Sequence, residues 1–201
     1  MANKQELEVE RKDQILDAAE KVFAERGLDQ ARMDDIVEES GLSKGTLYWY
    51  YKGKDAIIDA LFDRVFAGEM QALATLVDAD QPPSEKVTAF VRSVVKEIRR
   101  FERLMPLGYE FFALAARSKS VRKRLQRYYR SYIRTLMAIL QQGIDSGDFR
   151  PMATREAAIA TGAMFDGIAL YWFIDPDQVE WDQMERVALE LVQAAIAAES
   201  G

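Results

Sequence analysis

The sequence predicts an all-α protein of about nine helices, with an N-terminal three-helix helix-turn-helix domain over residues 1–53 and a larger C-terminal helical domain over 54–201. Three observations carry this. Apolar residues recur every three to four positions in one segment after another, the spacing that puts them on one helix face. No segment alternates apolar and polar long enough to make a strand. Arg32 to Lys54, RMDDIVEESGLSKGTLYWYYKGK, holds two short helical patterns around one glycine.

The first helix is expected from about Glu10–Asp13, with Ile15, Leu16, Ala19, Val22 and Phe23 as its stripe. Arg26-Gly27 ends it as a basic last residue and a glycine stop. Met33–Ser40 is the second helix, with Ile36 and Val37 inward, and the third runs from near Ser43 to Tyr51. Gly41 between them can take the positive φ of a sharp turn. Two short helices about a Gly turn form a helix-turn-helix. The third helix carries a surface that packing does not need. Ser43, Lys44, Thr46, Tyr48, Trp49, Tyr50, Lys52 and Lys54 are donors, cations or large aromatics, and no acid occurs from Gly41 to Lys54. That set suits a helix that enters a major groove and meets phosphates.

The stretch SKGTLYWYYKGKDAIIDAL resembles the DNA-binding signature of the TetR family of bacterial repressors. The resemblance is specific over Ile15–Leu61; beyond that it rests on length and helical pattern. It implies that Leu47 and Tyr51 face inward, and that Lys44, Gly45, Thr46, Tyr48, Trp49 and Tyr50 face DNA. Tyr48 and Lys54 are then expected on phosphates, Lys44, Thr46, Trp49 and Tyr50 on base edges or a thymine methyl, and Gly45 in close approach. The family commonly has Thr where this chain has Arg32, which cannot cap through an oxygen but can put a guanidinium on the DNA backbone. Asp34 is a second departure, an acid on the side expected to face DNA.

A long linking helix follows from Lys54 to about Asp78, then the linker DADQPPS at 78–84. Val87–Phe101 is the next helix. Pro106 interrupts, and Leu107–Ala116 is short and very apolar. Ser118–Ser120 is a polar break before the long helix Val121–Ser146. Thr154 is expected to cap a helix over Ala157–Phe173, which is apolar nearly all round, so it must be buried on all sides. A second subunit is the simplest way to do that. Asp177 and Glu180 resemble a capping box for the last helix, from Trp181 to the terminus. The last two helices of each subunit are expected to form a four-helix homodimer interface, which would set two recognition helices against a palindromic operator in double-stranded DNA.

The resemblance also implies a pocket for a small effector in the C-terminal helices, whose occupation changes the spacing of the reading heads. Phe101, Met105, Tyr109, Phe112, Tyr129, Tyr132, Met137, Phe165 and Trp172 are the candidates, and ordinary core uses the same residue types. Asp166 stands alone in the apolar run MFDGIALYWF, as a paired interface residue or a polar handle for ligand. The expected effector is apolar or amphipathic. From Arg117 to Arg134 there are eight cations and no acid, and Lys123, Arg127, Arg130 and Arg134 share a stripe. That stripe is either a solvated face or a receiver for the phosphates of an anionic effector such as an acyl-CoA.

The formal charge is −6, so DNA affinity must be local and salt-dependent. Residues 92–134 carry thirteen Lys and Arg against three acids. The chain has no Cys and no His, which removes disulfides, thiol chemistry, the commonest general base and the commonest metal ligands. With no Gly-rich phosphate loop and no convincing carboxylate pair, an enzyme is a poor reading, and no cofactor is expected. MANKQELEVERKD lacks an apolar stretch and no apolar run reaches the ~18 residues of a membrane span, so a cytoplasmic protein is expected. One alternative stays open. Asp34, Asp35, Glu38 and Glu39 also suit a helical interaction module, or an apolar-ligand-binding protein, that has lost DNA binding.

Overall fold

The structure is a computed structural model that describes residues 4–100 and 105–198, apart from the side chains of residues 4, 65–70 and 72. The fold is all-α. Its helices are α1 (Lys4–Gln30), α2 (Met33–Ser40), α3 (Lys44–Tyr50), α4 (Lys54–Asp78), α5 (Pro83–Arg100), α6 (Met105–Ala115), α7 (Lys119–Ser146), α8 (Thr154–Ile174) and α9 (Trp181–Ile196). A 3₁₀ turn, Pro176–Gln178, precedes α9.

The chain divides into two compact units, 1–67 with 104–122, and 68–103 with 123–201. This division does not fall at 53/54. α4 runs through it, and α6 packs with the first unit, against α1.

In the first unit the apolar stripe of α1 is its core: Ile15, Leu16, Ala19, Val22 and Phe23 are buried together with Ile36, Leu47, Ile57, Leu61 and Phe111. The helix begins at Lys4, well before the expected Glu10, because its first turns are polar and leave no apolar signature. The expected stop at Gly27 is a kink, and a short helical stretch continues to Gln30. Gly27 is non-helical at φ 74, ψ 164, a region costly for any residue with a Cβ. Arg64 of α4 ties back to α1 through Asp17 and Glu20 at 2.6 and 2.7 Å.

The second unit has its own core, with Phe90, Val91, Leu136, Ile139, Leu140, Phe149, Phe165 and Val192 among its members. Lys86 is buried. Its ammonium donates to Val77 O near the end of α4 at 2.8 Å and to Gln142 Oε1 at 2.9 Å, so the charge closes the C-terminal end of the linking helix. Arg150 donates to Ile196 O and Ala195 O at 3.1 and 2.7 Å and closes α9 in the same way.

Three sequence expectations about helix ends are corrected. Pro106 does not interrupt a helix; it sits in the first turn of α6, where no N–H is needed. Thr154 is already helical, and Ala153 occupies the cap without a side-chain bond. Glu180 is itself the cap of α9, accepting from the N–H groups of Asp182 and Gln183 at 3.1 and 2.7 Å, while Asp177 lies in the 3₁₀ turn. α8 is by length and composition apolar enough to cross a membrane, and one chain alone covers only part of its surface. One of its sides, with Ala158, Phe165 and Ala169, is buried within this chain. The other side carries Ile159, Asp166, Leu170, Phe173 and Ile174 at three- and four-residue spacings, all exposed.

Candidate nucleic-acid interface

The site is built from the turn outward. Gly41 lies at φ 67 and its N–H returns to Val37 O at 3.1 Å, which ends α2 and aims the chain into α3. Ser40 is buried and its carbonyl is held by Gln14 of α1 at 2.7 Å. Ser43 caps α3: its Oγ accepts from Thr46 N–H at 3.1 Å and bonds Thr46 Oγ1 at 2.8 Å. Leu47 is fully buried and Tyr51 nearly so, which fixes the inward face of α3. Lys44, Gly45 and Trp49 are therefore exposed on the outward face, with Thr46, Tyr48 and Tyr50 half-buried beside them. Trp49 is 64% exposed and stands edge-on to the Tyr50 ring, with centroids 4.5 Å apart. An indole held in water by a neighbouring ring exposes apolar surface that packing alone does not require.

Four charged residues have duties the sequence did not show. Lys54 Nζ donates to the carbonyls of Leu28, Asp29 and Ala31 at 2.6, 3.1 and 3.0 Å. All three of its donors close the end of α1, so it is placed as a brace rather than among the outward cations. Asp35, three residues on, reaches back to the start of α2. It accepts from Arg32 N–H at 2.8 Å and from Arg26 Nη1 at 2.7 Å, leaving the Arg32 side chain exposed at the start of α2. Asp34 forms an ion pair with Lys44 at 2.6 Å, both side chains well exposed. The hydrogen bond that Lys44 donates to Asp34 is the main cause that raises the Lys44 pKa above its ordinary value. Lys52 Nζ donates to Tyr48 O at 3.1 Å and covers the last turn of α3.

The effector candidates fall into two groups. Met105, Tyr109 and Phe112 lie on α6 in the first unit, with the Tyr109 and Phe112 rings 6.1 Å apart. Tyr129, Tyr132, Met137, Phe165, Asp166 and Trp172 lie in the second unit. Tyr132 and Phe165 are buried in its core, Tyr132 against Phe90 at 4.7 Å, and Met137 packs on the same cluster. The Trp172 ring stands 5.6 Å from that of Trp181. Asp166 accepts from Tyr129 Oη at 3.0 Å. Its residue surface is open in the single chain, yet its carboxyl is crowded enough that burial pushes its pKa up, with the tyrosine bond pulling the other way. Phe101 lies outside the described residues. Among the described residues no cluster of His, Cys, Asp or Glu could hold a metal ion.

Residues 15–61 match the model of the bacterial regulatory proteins of the tetR family, and residues 83–197, more than half of the chain, match the C-terminal model of BetI-type transcriptional repressors. The chain belongs to the TetR family. Among TetR-family relatives, the uncharacterized HTH-type transcriptional regulator YfiR of Bacillus subtilis is 29% identical over 173 residues, covering 81% of each chain. Two solved structures show the same fold. The SmeT–triclosan complex, of a repressor from Stenotrophomonas maltophilia, superposes with a TM-score of 0.81 at 24% identity over 94% of this chain and 93% of that one. FadR from Bacillus subtilis in complex with stearoyl-CoA gives 0.77 at 23% identity over 91% and 98%. As a TetR-family member the chain is a transcriptional regulator with a helix-turn-helix head, not an enzyme.

Proposed function

We propose that this regulator is a repressor that binds a palindromic operator as a homodimer through α8 and α9, and that an apolar or amphipathic effector releases it. The observation that carries the proposal is the outward face of α3, an exposed set of Lys44, Gly45 and Trp49 flanked by Thr46, Tyr48 and Tyr50 on a helix whose other face is locked into the core. Ser43 serves it as the cap, Arg32 as an exposed cation at the start of α2, and Lys54 as the brace behind it. The dimer is supported by the apolar residues left open on α8 and α9, Leu170, Phe173, Ile174, Val187 and Leu191 among them.

The class of effector is supported by two things. Relatives named for such ligands include FadR, solved with stearoyl-CoA, and the fatty acid metabolism regulator of Bacillus subtilis, 24% identical over 190 residues. Lys123, Arg127, Arg130 and Arg134 stand exposed along α7, a stripe that suits the phosphates of an acyl-CoA.

The test is a gel shift on duplexes recovered by selection from random DNA. The wild type should shift a recovered duplex, the more weakly the higher the salt, and Lys44→Ala should weaken it about tenfold or more, a base or phosphate contact being worth ~1–3 kcal/mol. A chain that recovers no duplex at low salt is not an operator-binding repressor. Asp34 gives a second reading of the same surface. Its pair with Lys44 is exposed and adds little stability. Asp34→Asn should therefore leave the melting temperature unchanged but tighten binding to unrelated DNA, since it removes a negative charge beside the phosphates. Unchanged binding to unrelated DNA would place Asp34 away from the DNA.

A further inference from the structure

The turn that joins α1 to α2 is held at both of its polar ends. Gly27 leaves the helix with a positive φ, so the N–H of Leu28 has no place in the α1 ladder. That N–H donates to Glu110 Oε2, a carboxylate on α6 and 82 residues away in the chain. Glu110 stands where a side chain at position 27 would be, with Oε1 2.9 Å from the site of a Cβ on Gly27. From the other end, Lys54 of α4 takes the carbonyls of Leu28, Asp29 and Ala31. The residue after Glu110, Phe111, is buried and meets Phe62 of α4 edge-on at 5.5 Å. Two residues beyond the turn's last braced carbonyl, α2 begins at Met33.

α6 is thus an outlier in the chain. It belongs to the C-terminal family match over 83–197, yet it packs with the first unit and against α1. Its polar attachment to that unit is a charge-assisted bond onto a backbone N–H, and such bonds are about twice as strong as neutral ones. The non-helical φ and ψ of Gly27 turn the Leu28 N–H away from the α1 axis, and Glu110 accepts it.

We propose that Glu110 is a positioning residue for DNA reading: through the Leu28 amide it fixes the α1–α2 turn, and with it the seat of α2 and α3. The inference rests on the operator-binding reading above. Glu110 touches no DNA, so its removal costs no phosphate contact. It blurs the placement of α3, and specific contacts suffer while non-specific ones do not. Only an acceptor oxygen is needed at this position, so glutamine should serve and alanine should not.

The experiment uses the full chain, wild type, Glu110→Ala and Glu110→Gln, with Glu110→Leu in place of the alanine variant if that does not fold. Hydrogen exchange at the Leu28 amide is read by NMR on the protein alone. Binding is read by fluorescence anisotropy on the duplex recovered by selection and on an unrelated duplex. For Glu110→Ala we expect exchange at Leu28 about tenfold faster, the selected duplex bound about tenfold more weakly and the unrelated duplex bound as before, because the Leu28 N–H loses its acceptor. Glu110→Gln should restore both. The inference is overturned if Glu110→Ala selects DNA as the wild type does, or loses both duplexes equally, or if Glu110→Gln is as impaired as alanine. If the wild type itself recovers no duplex, the operator-binding reading fails and this inference with it; a wild type that binds beside an unaltered alanine variant removes this inference alone.

Discussion

Replacing both Ile174 and Leu191 by aspartate is expected to turn the protein into a monomer of 22.9 kDa that no longer holds its operator. Ile174 is 70% exposed and Leu191 57% exposed in the single chain, each on the open side of its helix. Neither packs into the core of its own subunit, so the substitutions leave the fold of the chain intact. At the proposed interface each would bury a carboxylate against apolar side chains, which costs several kcal/mol, on the order of 3–5 for an unpaired charge. Two-fold symmetry doubles every substitution. Operator binding should then fall by at least about 100-fold, because the second recognition helix is no longer delivered at high effective concentration. Light scattering behind a sizing column reads the mass, and anisotropy the affinity. A double variant that still runs at twice the chain mass would move the interface elsewhere. Asp166, on the same side of α8, adds a pH dependence. Its folded-state pKa is raised by burial, so its contribution is fully favourable below its ordinary value and is lost as pH rises through the raised one.

The second large effect is inside the second unit. Gly143→Ala is expected to lower the melting temperature by up to about 8 °C, against the usual direction for a helical glycine. In open space the exchange would stabilise α7 by ~1 kcal/mol. Here the Cβ would stand 2.0, 2.2 and 2.6 Å from Cδ2, Cε2 and Cγ of Phe149. Phe149 is buried and its backbone is tied at both sides, its N–H to Gly143 O at 2.9 Å and the next N–H to Ile196 O at 3.1 Å. The ring cannot retreat, so the clash outweighs the gain in propensity; overpacking costs ~1–3 kcal/mol and each kcal/mol is ~2–4 °C at this chain length. Thermal unfolding followed by circular dichroism checks it. Combining Gly143→Ala with Phe149→Leu should recover part of the loss, and a pair of losses that simply add would deny the contact.

Gly143 marks where sequence reasoning stops. Helix existence was legible, because α1, α5 and α7 each bury a stripe with helical spacing. Gly41 and Ser43 were legible as turn and cap because their roles are local, a positive φ and an oxygen three residues from an N–H. What was not legible is long-range. Nothing near Lys54 in the sequence shows that its donors go to carbonyls 23 to 26 residues earlier. A lysine after an acid-free helix reads as a phosphate contact, and the packing of α4 on the end of α1 decides otherwise. Glu110 reaches 82 residues back. Ala153 before α8 has no capping side chain at all, so the nearest threonine was the only local signal. For the outward face of α3, the sequence gives the residue set and Leu47 with Tyr51 gives its phase. The Asp34–Lys44 pair required both helices in place.

The central claim is that two copies of α3, set by a dimer, read one palindrome. It is tested most directly by titrating the full chain against two duplexes, one with both half-sites of the selected sequence and one with a single half-site. The account predicts two chains bound per palindrome, and an affinity for the single half-site no better than for unrelated DNA. One chain per palindrome, or equal affinity for the palindrome and the half-site, would contradict it.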